Sequence, residues 1–143
     1  MTMEDDKVKK KINDGWIKSW MMVEVLAVEK DAAEESLKQH IDKLRKENKT
    51  EILKADFQAA EEVDNPLPNV AKAYSQVVEL ELLTENFEKL MFITMNYGPS
   101  ALEILEPSQI RMDMGEAQGI LNSISEMIHR FAAAGIGGLV INR

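Results

Sequence analysis

Four glutamates carry the chemistry this chain could most readily do. Glu24, Glu79, Glu81 and Glu103 each sit inside an apolar, strand-like segment. If Met21, Val23, Val25, Val78, Leu80, Leu82, Leu102 and Ile104 face a helical layer, period-two alternation turns the four carboxylates to the opposite side. Clustered carboxylates can bind Mg²⁺ or Ca²⁺, or hold a raised pKa for acid–base work. The simpler reading is an acidic, hydrated strand face. No Asp-x-Asp run or glycine loop accompanies the glutamates, so no metal site is expected.

The other reactive groupings are thinner. Glu126 and His129 share one face of a helix, but a di-iron site needs a second such pair and two further glutamates. Glu126 is also spaced to pair with Arg130. Tyr97-Gly98-Pro99-Ser100 places a hydroxyl in a loop, with no His nearby and no nucleophile elbow; chain reversal alone explains Gly98 and Pro99. Gly135-Ile136-Gly137-Gly138 follows a helix, whereas a phosphate loop must precede one. It reads as a helix stop, with Leu139-Val140-Ile141 as a short strand beyond it. No catalytic residue and no cofactor site emerge.

Composition narrows the classes further. The chain has 143 residues, 45% of them hydrophobic, no Cys and two His, at His40 and His129. It can bury a real core, and disulfides and thiolate sites are excluded. The absence of Cys fits a cytoplasmic location, and no signal peptide is seen at the charged start. Residues 51–143 hold six basic against fourteen acidic side chains, which accounts for the net charge of −8. Such a surface repels a phosphate backbone, so nucleic acid is not an expected partner. Lys7-Val8-Lys9-Lys10-Lys11 follows Glu4, Asp5 and Asp6, and residues 1–14 read as a charged, frayed N-terminal segment ahead of one α+β domain over 15–143. The longest apolar stretch, Trp20 to Val28, contains Glu24 and is too short to span a membrane.

The elements that would position these groups follow from periodicity. Trp16 to Val28 predicts a strand that is apolar on both sides, hence central. Asp31 to Lys46 predicts a helix capped by Asp31 and Glu34, with Ala33, Leu37, Ile41 and Leu44 as its buried stripe. Residues 51–63 read as an edge strand, with Leu53, Ala55, Phe57 and Ala59 alternating; a helix there, in a three-stranded domain, is the alternative. Asp64 to Asn69 predicts a loop, Tyr74 to Leu83 a strand, Phe87 to Tyr97 a helix and Ala101 to Glu106 a strand. Asp113 to Ala134 predicts the longest helix, opened by Asp113 and Glu116.

That order, βαββαβ and a final helix, predicts a ferredoxin-like α+β sandwich with an antiparallel sheet and an extra C-terminal helix. Its first two helices would cover one face only. Trp20, Met22 and Leu26, with Val28, would form an apolar patch on the other. The last helix carries Ala117, Ile120, Ile124, Met127, Phe131 and Ala134 on one stripe, widened by Leu121 and Ile128. Two coverings of the open face are possible, the last helix of the same chain or another subunit. The stripe is broad enough to leave apolar residues for a partner, so a homo-oligomer, most simply a dimer, is expected. The functional expectation is a non-catalytic oligomeric binding or regulatory module; the alternative is a metal-dependent enzyme using the carboxylate face. Regulatory domains of the ACT type share the fold plan, but the loop Glu29-Lys30-Asp31 lacks the glycine they often use to admit a ligand.

The segment YGPSALEILEPSQIRMDMGEAQGILNSISEMIHRFAAAGIGG, together with GWIKSW near the start, is similar to a family of small uncharacterised archaeal proteins. The resemblance covers most of the chain. It implies an archaeal cytoplasmic protein and carries over no functional residue.

Overall fold

The computed structural model describes residues 2–135. They divide into two compact units, the first through Gln109 and the second from Ile110. The first unit opens with α1 (Met3–Asn13), where the sequence suggests a frayed segment. The correction has a local cause. The Thr2 hydroxyl accepts from Asp5 N–H and the Asp5 carboxylate accepts from Thr2 N–H, closing a capping box. Lys10 and Lys11 then sit at the negative end of the helix dipole.

There follow β1 (Ile17–Ala27), α2 (Lys30–Arg45), β2 (Thr50–Phe57), β3 (Glu61–Leu67), β4 (Val70–Thr84), α3 (Phe87–Tyr97) and β5 (Ala101–Glu106). The sheet runs β2-β4-β1-β5, with β3 also paired to β4, and every pairing is antiparallel. Thus β1-α2-β2 brackets β4, and β4-α3-β5 brackets β1. β1 is central, as its two apolar sides require.

Alternation decides the core. Ile17, Met21 and Val23 of β1 and Val78, Leu80 and Leu82 of β4 are buried beneath α2 and α3. The α2 stripe of Ala33, Leu37, Ile41 and Leu44 is buried to the residue. Leu102 and Ile104 are different: each is 36% exposed, because β5 lies at the margin of the helical layer. Asp31 does not cap α2 either. Glu29 holds that position without a side-chain bond, and Asp31 lies in the first turn.

Residues 51–63 form a strand only in part. A register shift between Ile52 and Lys54 displaces Leu53, so Ile52, Ala55 and Phe57 stand opposite Leu82, Leu80 and Val78. The expected loop at Asp64 to Asn69 is mostly β3. Asn65 takes φ 50° and, with Pro66, occupies a register shift between Asp64 and Leu67. Leu67 pairs with Val70 across Pro68-Asn69, with Asn69 at φ 69°. Pro, Asn and Asp are depleted from strands in general, yet an edge strand tolerates them where a bulge absorbs the missing donor.

The second unit contains α4 (Met114–Ala133). The Asp113 carboxylate accepts from Glu116 N–H at 2.8 Å, as its sequence predicts. Gly135, at φ 74°, follows the helix. Gly137 and Gly138 and the expected strand at Leu139-Val140-Ile141 lie outside the described residues.

Candidate functional site

The sheet face away from α2 and α3 gathers the residues singled out above. Across β2, β4, β1 and β5, one row runs Lys54, Glu81, Trp20, Glu103. The next runs Asp56, Glu79, Met22, Ala101. Glu24 stands a step further along β1, opposite Val77. Strand spacing of about 4.8 Å therefore brings all four glutamates onto one face, with Trp20 between Glu81 and Glu103. A depression of about 220 Å³ is lined by Trp20, Lys54, Asp56, Glu79, Leu80 and Glu81. Lys54 and Asp56 join the site from β2, on the side that the alternation of Ala55 and Phe57 leaves to them.

Two of these carboxylates have ordinary polar partners. The Gln58 side-chain amide donates to Glu79 at 3.2 Å, and the Ser75 hydroxyl donates to Glu24 at 2.7 Å. Among the described residues, no three acidic or histidine side chains come together in an arrangement that could hold a metal ion. Calorimetric titration with Mg²⁺, Mn²⁺ or Ca²⁺ is expected to show no micromolar binding. Saturable heat that disappears in Glu79→Gln or Glu24→Gln would defeat that expectation.

The apolar residues of the same face grade outward. Trp20 and Met22 are half-buried, Leu26 is 45% exposed and Val28 69% exposed. On α4, Ala117, Ile120, Ile124, Met127 and Phe131 form the stripe the spacing predicts. Met114, Leu121 and Ile128, each seven residues from the next, make a second apolar line, 85%, 67% and 37% exposed. Glu126 and His129 are both exposed on this helix.

The loop hydroxyl and the first histidine have structural work. The Ser100 N–H and hydroxyl both donate to the Met22 carbonyl, at 2.8 and 3.2 Å, anchoring the start of β5. Gly98, at φ 57°, is the left-handed stop of α3. His40 contacts the Tyr97 carbonyl through Nε2 at 3.0 Å and packs on its ring.

Around Tyr97 lies a polar network that no local sequence signal announces, because its members are some forty to fifty residues apart. The Tyr97 hydroxyl donates to Glu47 Oε2 at 2.6 Å, and Lys89 Nζ reaches Glu47 Oε1 at 3.0 Å and Asn48 Oδ1 at 3.1 Å. The hydrogen bond from Tyr97, reinforced by Lys89, holds the Glu47 carboxyl below its usual range. Burial, then the bond to Glu47, pushes the Tyr97 phenol above its own. These donors are directed at Glu47, and the network joins the end of α2 to α3.

No described helix is long and apolar enough to cross a membrane. No curated protein matches the chain. A family model does, over residues 18–141, from within β1 to beyond α4. The match agrees with the resemblance read from the segment beginning at Tyr97, for the family is an uncharacterised one named after a Methanocaldococcus protein. The chain belongs to the MJ0538 family.

Proposed function

We propose that this protein is a non-catalytic binding or regulatory module that works as a homo-oligomer, most simply a dimer in the cytoplasm. One observation carries the reading: β1 presents Trp20, Met22 and Leu26 on the sheet face opposite α2 and α3. Water disfavours such a surface by about 25 cal/mol per Å². On α4, Ile120, Ile124, Met127 and Phe131, flanked by the exposed Leu121 and Ile128, offer another copy a seam of coiled-coil periodicity. Glu24 and Glu79 of that face accept hydrogen bonds from Ser75 and Gln58, which supports recognition over turnover. The same reading treats the fold as ferredoxin-like. With β3 taken as an insertion, the remaining strands lie in the order 2-3-1-4, which is that plan read from its other edge.

Sedimentation equilibrium at high micromolar concentration tests this proposal. The expected result is a dimer, shifted toward monomer by Leu26→Glu without loss of the helical and strand signal, since Leu26 is exposed enough to accept a charge. Ile124→Glu is expected to give folded monomers if the α4 seam is intersubunit; unfolding or aggregation would assign that seam to packing within the chain. A wild-type protein that remains monomeric overturns the oligomer.

A further inference from the structure

The outer strands of the sheet differ in how they end it. β2 carries Glu51, Lys54 and Asp56, and β3 carries Asp64, Pro66 and a register shift, features that blunt strand addition. β5 carries Glu103, Glu106 and a register shift of its own between Ile104 and Glu106, but residues 101–104 pair regularly with β1. Among the described residues its one strand partner is β1, which leaves its outer backbone edge unpaired. Leu102, Ile104 and Leu105 are 36%, 36% and 37% exposed along that edge.

We propose that β5 is a docking edge for an extended segment of another protein that alternates basic with apolar residues, added as a further strand. Charge complementarity selects this occupant. Glu103 is exposed on β5 and shares a row with Trp20 and Glu81, and Glu106 follows it on the strand. Opposite charges facing each other across strands stabilise a sheet, and like charges destabilise it. A Lys or Arg set opposite Glu103 gains such a pair, while its apolar neighbours fall beside Leu102 and Ile104. A second copy of β5 fits less well. The longest twofold pairings that keep both helical layers on one side oppose Glu103 to its own copy, or Leu102 to Glu106. Strand addition would supply main-chain hydrogen bonds for affinity and alternate side chains for specificity. Glu103 borders Trp20 on the face proposed above for the dimer, whereas Leu102 and Ile104 lie on the helical side. Sedimentation reads the dimer and peptide anisotropy reads the edge, so either proposal can fail alone.

The probe is a fluorescent acetyl-Lys-Val-Lys-Val-Lys-Val-amide peptide, titrated with the full chain and followed by anisotropy. Saturable binding is expected, with hydrogen exchange slowed at residues 101–106. Glu103→Lys should weaken it about tenfold and confer binding of the matching Glu-Val peptide. Glu34→Lys, the same charge change on an exposed position of α2, should leave affinity within about twofold because it lies outside the paired edge. Equal weakening by both variants would reduce the effect to attraction by an acidic protein and overturn the proposal. So would unslowed exchange at 101–106. Protection there that grows with protein concentration in the absence of peptide would assign the edge to a second copy and overturn it too.

Discussion

Leu80→Ala is expected to lower the unfolding free energy by about 3 kcal/mol, and Val78→Ala by about 2 kcal/mol. Glu79→Ala, between them in sequence, should cost well under about 1 kcal/mol. The contrast follows from the side of the sheet each side chain takes. Val78 and Leu80 are fully buried beneath α2 and α3, so truncation removes apolar contacts and leaves a void that a packed core closes only partly. Glu79 points to the other face, where it accepts a hydrogen bond from exposed Gln58. Urea melts of the three variants check the ranking. The reverse order would place β4 one residue out of the register that pairs Leu80 with Met21.

Lys89→Met is the second large effect, a loss of about 2 kcal/mol at neutral pH, because it strips a charge partner from a carboxylate shielded from water. The side chains of Lys89 and Glu47 are 12% and 20% exposed, so solvent screens this pair less than the surface pairs Lys38–Asp42 and Lys72–Glu62. Tyr97→Phe should cost about 1–2 kcal/mol, since it removes a hydrogen bond to a charged acceptor. Its cost should also depend on pH in a defined way. Glu47 is held below its usual range, so its contribution is fully present above the ordinary glutamate pKa and is lost as pH falls through the folded value. Tyr97 is raised, so its contribution is full below the ordinary tyrosine pKa of about 10 and is lost as pH rises beyond it. The stability gap between wild type and Tyr97→Phe should therefore be flat between those limits and shrink outside them. Chemical melts from acid to strongly alkaline buffer check both limbs; an unchanged gap at high pH would remove Tyr97 from the linkage.

Where local pattern and tertiary demand coincide, the chain could be read directly. The α2 stripe is settled by spacing, since a helix that buries Ala33, Leu37, Ile41 and Leu44 can turn only one way. β1 and β4 are settled by alternation, and that alternation placed Glu24, Glu79, Glu81 and Glu103 on one face before any strand was paired. Asp113 caps α4 through a bond three residues long, which residue type alone can signal. The remaining features depend on partners distant in sequence. β3 exists because the long β4 offers an unpaired edge that overrides the turn preferences of Asn65 and Pro66. Leu53 is displaced, and Ile52 set opposite Leu82, by a register shift visible only once β2 lies against β4. The Glu47–Lys89–Tyr97 network forms only when α2 and α3 pack on the same side of the sheet. Short-range preferences thus determined most elements and their faces, while pairing across the sheet decided β3, the bulges and the buried polar contacts, because those energies arise only between segments the chain has already brought together.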